Sequence, residues 1–331
     1  MQRPTRHCPL PCSGWPTGLY AGGLRVWTIS GQELRLKDLH TVHTVRDLKT
    51  LLRVQHGFPF CLQQLLHEGN SLNDSTLLHA LNDLQVVLLS LCTPEQKWEA
   101  GIELSEACLE GDQEAARLLL EAGAHTEIFG GLNYTPLMFA VWKGQAEIAK
   151  LLLESGVNKN WQGQDGHTAL TLAARDGHVH IAKLLLESGA DKDFQDSLGY
   201  TPLIHAARDG RDGHVQIAKL LLESGADKDF QGSLGYTALI HAARGGRFEI
   251  ARLLVEAGAD KDLQGNTGVT ALMGAARNGH KEIAQLLLQA GADTDVQDQF
   301  SVTSFGHAVS NGHGEIARLL RAKTRRIIAS N

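Results

Sequence analysis

One sequence phrase recurs every 33 residues, with a single interval of 36, along the last two-thirds of this 331-residue chain. Each copy opens with a threonine and continues with two stretches of helical periodicity separated by a glycine, and every copy except the last closes with a Gly-Ala-Asp-like turn. One such unit cannot bury its apolar face alone, so consecutive copies must stack into an array with a continuous core. The opening threonines are Thr135, Thr168, Thr201, Thr237, Thr270 and Thr303.

The array is predicted to have atypical ends. Residues 102–123 keep the alanine and glycine pattern of a unit without its threonine, which makes seven units over residues 99–322. Thr93, Pro94 and Gln96 form a helix-start signature, so residues 91–98 are predicted as a linker and helix start. The extra residues of the long interval come from a doubled Arg-Asp-Gly, which we expect in the turn between two helices. Residues 323–331 are predicted as a basic tail.

The repeated phrase resembles the ankyrin repeat, whose opening motif is T-P-L-H-x-A. Thr135-Pro136-Leu137 and Thr201-Pro202-Leu203 match this opening, and three further copies have the common variant Thr-Ala-Leu. The motif histidine is missing in every copy, so the usual histidine network is not predicted, although His205, His241 and His307 stand one position later. The resemblance implies an all-α solenoid with β-hairpin turns that binds other proteins.

Residues 24–90 follow a different pattern. Strands are predicted at residues 24–29, 33–36, 64–67, 71–72 and 84–89, with one helix that starts after Thr44 and stops at Gly57. This order, and the stretch Leu-Leu-His-Glu-Gly-Asn-Ser-Leu-Asn-Asp at 65–74, resemble the ubiquitin-like β-grasp. The predicted fold class is therefore an α+β ubiquitin-like β-grasp domain followed by an all-α ankyrin-repeat solenoid with β-hairpin turns. The proline-rich residues 1–23 are predicted as a disordered leader.

The ubiquitin-like resemblance implies an exposed apolar patch on the sheet, formed by Ile29, Leu66 and Val87, that docks to ubiquitin receptors or the proteasome. Strand alternation agrees, because Val87 points outward if Leu84 and Leu88 point inward. The alternative is that the patch packs against the repeat array. The chain runs on past residue 90 without a Gly-Gly, so we expect a built-in docking domain rather than a conjugated modifier.

The ankyrin resemblance places a concave groove at the hairpin tips and the inner helices, where the variable positions of the phrase fall. Tyrosine, tryptophan and arginine, which are enriched in binding hot spots, occur there repeatedly. An arginine row beside tyrosines suits an acidic, partly apolar peptide; the alternative is a solvated rim held by Asp176 and Asp209. The predicted groove residues are Leu132, Tyr134, Trp142, His167, Arg175, Leu198, Tyr200, Arg208, Leu234, Tyr236, Arg244, Val269, Arg277 and Phe300.

Composition limits the other function classes. A net charge of −6 argues against nucleic-acid partners, and no apolar run reaches the roughly 20 residues that a membrane helix needs. Five cysteines at irregular spacing favour a reducing compartment, hence a cytoplasmic protein, with nuclear import by the basic tail as the alternative. The sequence contains no P-loop, nucleophile elbow or H-E-x-x-H motif, and we predict no catalytic residue, cofactor or metal.

The function predicted from these features is that of a non-enzymatic adaptor, in which the groove holds a protein client and the ubiquitin-like domain docks to ubiquitin-pathway receptors. Two alternatives remain open at this point. The β-grasp domain could merely cap a structural scaffold, or the chain could be a regulatory fragment of a larger enzyme. Residues 181–201 and 217–237 differ only at Asp196 and Gly232, which indicates recent duplication.

Overall fold

The computed structural model describes residues 24–330, with the exception of residues 29, 80, 82, 90 and 92; for residue 131 and residues 323–330 only the backbone is described. The chain divides into an N-terminal unit that ends at Leu89 and a C-terminal unit that begins at Ser90. The predicted leader, residues 1–23, and the patch residue Ile29 lie outside the described residues.

The N-terminal unit contains a small mixed sheet and one long helix. The elements are β1 (Arg25–Thr28), β2 (Glu33–Leu34), α1 (Val45–His56), β3 (Gln63–His67), β4 (Asn70–Ser71) and β5 (Asp83–Leu88), with short 3-10 turns at Leu39–Thr41 and Phe60–Leu62. Strand β1 pairs in parallel with β5, whereas the pairs β1–β2, β3–β4 and β3–β5 are antiparallel, which gives the order β2-β1-β5-β3-β4.

Helix α1 begins and ends where the sequence predicts. The Thr44 side chain accepts the backbone N–H of Asp47, and the Asp47 carboxylate accepts the N–H of Thr44, so two of the unpaired donors at the helix start are satisfied. Gly57 ends the helix with a φ of 67°, a conformation that glycine adopts without strain.

The core of this unit lies between α1 and one face of the sheet. Leu48 and Leu52 of the helix pack with Leu65, Leu84 and other apolar side chains of the strands. Leu88, which the sequence analysis places inward, is instead 39% exposed. It is the last residue of β5 and pairs with Gln63, whose side chain fills the buried position at that end by donating to the carbonyls of Lys49 and Phe58.

The C-terminal unit is built from seven consecutive helix pairs in its described part. Each pair packs on the next, first helix against first helix and second against second. The helices are α2 (Pro94–Glu110), α3 (Gln113–Glu121), α4 (Pro136–Trp142), α5 (Ala146–Glu154), α6 (Ala169–Asp176), α7 (Val179–Glu187), α8 (Pro202–Asp209), α9 (Asp212–Glu223), α10 (Ala238–Gly245), α11 (Phe248–Glu256), α12 (Ala271–Asn278), α13 (Lys281–Gln289), α14 (Ser304–Ser310) and α15 (Gly314–Ser330).

The repeated residues explain the repeated helices. Each opening threonine caps its helix by accepting the N–H three residues on, as Thr201 does from Ile204. Ile181 and Leu185 of α7 are fully buried between units, and each such side chain contributes roughly 1.5–3 kcal/mol. Small residues such as Ala174 let the first helices approach one another closely.

The doubled Arg-Asp-Gly does not lie wholly in a turn, which corrects the sequence-based expectation. Gly210 ends α8, but Asp212 and Gly213 lie within α9, which has 12 residues where its counterpart α7 has nine. The insertion therefore adds a turn to the second helix. A Cβ atom on Gly213 would come within 2.7 Å of the Gly177 carbonyl oxygen, so the extra turn needs glycine at this close approach.

The two ends of the array differ from its middle. The predicted capping box of Thr93 and Gln96 is present, and α2 starts directly after it at Pro94. Helix α15 runs to Ser330, through the residues that the sequence analysis assigns to a basic tail. No helix of the described chain combines the length and the apolar character that a membrane crossing requires.

Candidate functional site

A row of apolar side chains stands exposed at equivalent positions of the array. Leu132, Leu198, Leu234 and Phe300 each lie three residues before an opening threonine, and Phe300 is 74% exposed. Trp142, at the end of α4, is also exposed. Side chains that recur once per repeat form a line along one edge of a solenoid. The structure therefore leaves these five predicted groove residues open to a partner.

Three other predicted groove residues are buried. Tyr134, His167 and Tyr200 are at most 9% exposed, so they support the surface and present little area to a partner. The Tyr134 hydroxyl donates to Asp165 Oδ2 at 2.8 Å. Burial, with this carboxylate beside it, raises the pKa of Tyr134 to about 12. The structure thus corrects the expectation of open side chains at these positions.

Of the four arginines in the row, one pairs with a carboxylate and, among the described residues, the other three do not. Arg175 donates twice to Asp176, each bond 2.9 Å long, as the solvated-rim alternative expects. Asp209, the second acid of that alternative, pairs with Arg211 at 3.2 Å and leaves its neighbour Arg208 without a carboxylate. Within the described part of the chain, no carboxylate lies at salt-bridge distance from the guanidinium groups of Arg208, Arg244 or Arg277.

Two of the unpaired arginines lie over aromatic rings. The guanidinium carbon of Arg208 is 4.7 Å from the centre of the Tyr200 ring, and that of Arg244 is 4.8 Å from the centre of the Tyr236 ring. Such cation–π contacts hold the side chains in place without neutralising their charge. Arg208 and Arg244 are therefore exposed, ordered cations.

Four predicted groove residues meet in one surface depression near the end of the array. Its volume is about 450 Å³, and its lining combines an apolar and a cationic part. Tyr236, Val269, Arg277 and Phe300 all contribute to it, together with Asp298 and His307. The depression joins residues of three consecutive units.

Sequence reasoning missed a buried contact between successive units, in a space that we call the inter-unit slot. Three positions form the slot. One is the residue directly before the opening threonine of a unit. The other two belong to the next unit and stand five residues before and four residues after the opening threonine of that unit. In two units the slot holds an aspartate bonded to a histidine, Asp196 to His205 and Asp298 to His307, each with an Oδ2–Nε2 distance of 2.8 Å.

In the other slots a tyrosine ring takes the place of the aspartate. A Cβ atom on Gly163 would lie 2.6 Å from the Tyr134 ring, and one on Gly232 would lie 3.2 Å from the Tyr200 ring. The aspartate therefore occurs where the preceding unit has His167 or Val269 instead of tyrosine. The one signal in the sequence was the change from Asp196 to Gly232 between otherwise identical copies.

The slot of Gly232 is mismatched, because it retains a histidine without an aspartate. His241 Nε2 is buried and has no hydrogen-bond partner among the described residues. Its ring lies edge-on to Tyr200 and Tyr236, with centroid distances of 5.4 and 5.6 Å. Burial, together with the positive charge of Arg208 and other nearby groups, lowers the pKa of His241 to about 4.

The histidines that follow the inter-helix glycines have a structural role. Nε2 of His214, His280 and His313 lies 2.9–3.1 Å from the carbonyl oxygen of Arg175, Arg244 and Arg277, respectively. Each histidine therefore ties the start of a second helix to the end of the first helix in the preceding unit.

In the N-terminal unit, the outer face of the sheet carries the remaining predicted site. Leu84 and Val86 are buried, while Leu66 and Val87 are half-buried on the opposite face, as alternation predicts. Leu66 pairs with Gln85, and Gln85 pairs with Trp27, so these three side chains form a row across β3, β5 and β1. All three line a shallow depression of about 670 Å³, which Val87 does not reach.

Comparison with known families identifies the repeated unit. A family model described as ankyrin repeats, in three copies, matches residues 51–163, 137–232, 211–298 and 262–330. Together these matches span residues 51–330 of the 331-residue chain. The first of them begins inside the N-terminal unit, ahead of the helix pairs. None of the curated proteins matches the chain.

Proposed function

The chain belongs to the ankyrin repeat family, and from this membership we propose that it is a non-enzymatic adaptor whose array binds an acidic, partly apolar segment of another protein. Ankyrin repeats imply a role in protein–protein interaction. The observation that carries the finer proposal is the arginine row without carboxylate partners, Arg208, Arg244 and Arg277, beside the exposed apolar row.

The chemistry of the surface favours this kind of client. Arg208 and Arg244 are already ordered by stacking on tyrosine rings, so a client carboxylate that pairs with them costs little side-chain entropy. The exposed Leu198 and Leu234 offer apolar area on the same array, and Phe300 lines one depression with Arg277. Charge gives specificity and association rate, and the apolar contacts add affinity.

Charge reversal of the arginine row is the test. A client peptide is first selected by display against the full chain, and its affinity is then measured by fluorescence anisotropy. Arg208→Glu combined with Arg244→Glu is expected to weaken binding roughly 100-fold, because two favourable charge contacts become repulsive.

The matched control reverses two lysines on the second helices, Lys150→Glu with Lys219→Glu. It changes the net charge equally but leaves the groove intact, and both lysines are exposed. An equal loss of affinity in the control, or full affinity in the arginine variant, would reject the groove as the binding surface.

We further propose that residues 24–90 form a ubiquitin-like domain that docks to ubiquitin receptors in the cytoplasm. The strand order, the single helix on one face and the half-buried Leu66 on the other face support this proposal. Trp27 and Gln85 extend the patch beyond the residues that the sequence suggests.

Leu66→Asp is expected to weaken the docking. We would titrate the full chain with a ubiquitin-receptor domain and follow the amide resonances of residues 24–90. A charge at the centre of an apolar contact leaves the carboxylate desolvated, so the affinity should fall at least about tenfold.

Val54→Asp is the control for this experiment. Val54 is 77% exposed on α1, away from the outer face of the sheet, and its replacement should leave docking unchanged. Receptor binding that survives Leu66→Asp, or that is lost equally in both variants, contradicts the patch.

A further inference from the structure

Three potential metal ligands from two successive units converge in the inter-unit slot that begins at His167. They are His167, directly before the Thr168 cap, Asp196 in the loop between α7 and α8, and His205 in α8. One ligand atom of each lies within 4.8 Å of the other two, and all three residues are buried. Among the described residues, no other group of three histidine, cysteine or acidic side chains has this arrangement.

One of these ligand atoms is left without a partner. His167 Nδ1 is buried and forms no hydrogen bond among the described residues, although it faces Asp196 Oδ2 at 3.6 Å. That distance is too long for a hydrogen bond, and leaving a buried polar atom unpaired costs roughly 1–3 kcal/mol. A cation between the two groups would satisfy both.

The distances suit a tetrahedral ion with nitrogen and oxygen ligands. Zinc bonds of roughly 2.0–2.2 Å at tetrahedral angles place neighbouring ligand atoms about 3.3–3.5 Å apart. The distances from Asp196 Oδ2, 2.8 Å to His205 Nε2 and 3.6 Å to His167 Nδ1, lie on either side of this value. The ligand atoms of the two histidines lie within 4.8 Å of each other, so side-chain rotations that bring them closer would place all three atoms at bonding distance.

Carboxylate and backbone groups surround the three residues. Asp165 Oδ2 lies 3.6 Å from the other ring nitrogen of His167, so a small shift of either side chain would form the carboxylate–histidine hydrogen bond that supports many metal sites. Asp196 Oδ1 accepts the backbone N–H groups of Leu198 and Tyr200 at 2.9 and 2.8 Å, which orients the carboxylate. Asp196 Oδ2 bonds His205 Nε2 at 2.8 Å, and a metal ion would replace this hydrogen bond with one bond to each of the two atoms. Two carboxylates offset the double charge of the ion.

We propose that His167, Asp196 and His205 bind Zn²⁺ and thereby cross-link the units that open at Thr168 and Thr201. A water molecule would complete the tetrahedron. The ion would act as a structural clip between neighbouring repeats, and it would stabilise them by binding only the folded array. No local motif reveals this site, because its ligands are separated by 29 and nine residues and belong to different units.

The array contains its own control. The slot of Asp298 and His307 has the same 2.8 Å pair, but Val269 occupies the position of His167. Val269, Asp298 and His307 line the same surface depression, which has room for a larger side chain. His167→Val therefore converts the proposed site into a slot that the chain already folds, and Val269→His does the reverse.

The test is calorimetric titration of Zn²⁺ into the full chain after removal of metals by a chelator, near neutral pH. The wild type should bind with a dissociation constant below about 1 µM, and His167→Val should weaken this binding at least about 100-fold. Val269→His should add a second binding event. Circular dichroism checks that each variant is folded; His205→Leu, which installs the residue found at Leu172, replaces His167→Val if that variant does not fold.

Cobalt substitution distinguishes this site from the cysteines near the N-terminus. A tetrahedral Co²⁺ spectrum without thiolate-to-metal charge transfer, lost in His167→Val, is expected. Unchanged zinc affinity in His167→Val, thiolate charge transfer as the only cobalt signal, or no binding in the wild type would each overturn the proposal.

Discussion

Replacing Asp196 by glycine is expected to lower the free energy of unfolding of the array by about 3 kcal/mol, because one partner of a buried polar contact is removed. Asp196 Oδ2 bonds His205 Nε2 at 2.8 Å, and Oδ1 accepts two backbone N–H groups. Glycine is the residue at the equivalent position 232, so the backbone accommodates the change. Urea unfolding followed by circular dichroism, with a chelator present, measures the effect.

The double variant Asp196→Gly with His205→Leu separates the lost contact from other effects. It reproduces the combination of Gly163 and Leu172 in an earlier unit. It also removes the imidazole that Asp196→Gly leaves without its hydrogen-bond partner. We expect it to recover about half of the lost stability, since residues in direct contact do not act additively. A double variant as unstable as Asp196→Gly alone would show that the loss of stability does not come from the unpaired histidine.

Acidification is expected to destabilise the array through His241, by up to about 3 kcal/mol between pH 6.5 and about 4. In this window the unfolded chain takes up a proton at His241, while burial and the charges of Arg208 and Arg244 keep the folded histidine neutral. The unfolded state then binds more protons than the folded state. The free energy of unfolding is therefore not reduced by His241 above pH 6.5, and it decreases as the pH drops towards 4.

His241→Leu isolates this contribution. Leucine occupies the equivalent position at Leu172, where the facing residue is also glycine, so the array should fold with this change. The loss of unfolding free energy between pH 6.5 and pH 4 should be smaller in His241→Leu than in the wild type, by most of the amount attributed to His241. Other acid-sensitive groups contribute equally in both proteins. Identical pH profiles for the wild type and His241→Leu would contradict the pKa shift.

Much of the fold follows from local chemistry that is visible in the sequence. Thr44 and Thr93 predict helix starts because a cap needs only the residues within one turn, and both caps are present. The 33-residue period predicts the stacked helix pairs for the same reason: every unit repeats the same local signals. The doubled Arg-Asp-Gly was misplaced because glycine locally disfavours a helix, whereas in α9 the close approach of Gly213 to the Gly177 carbonyl oxygen leaves no room for a side chain, and no local rule reveals this approach.

The candidate groove was predictable only in part. The exposure of the leucines and Phe300 follows from their place in the loops between helix pairs, and that of Arg208, Arg244 and Arg277 follows from their repeat position. Whether an arginine forms a salt bridge depends on its neighbours in space. Asp176 pairs with Arg175. Asp209, by contrast, pairs with Arg211 and not with Arg208. The burial of Tyr134 and Tyr200 likewise depends on the glycine that faces each ring in the next unit.

The sequence by itself determined that this chain consists of a small strand-rich unit followed by an ankyrin array, because the repeat period, the helix caps and the apolar spacing are local and repeated. The tertiary structure alone decided what fills each inter-unit slot: a tyrosine ring over glycine at Gly163 and Gly232, an aspartate–histidine pair at Asp196, and, within the described part of the chain, a second histidine at His167 alone. The partners in a slot come from different units, so stacking, and no pattern within one unit, brings them together.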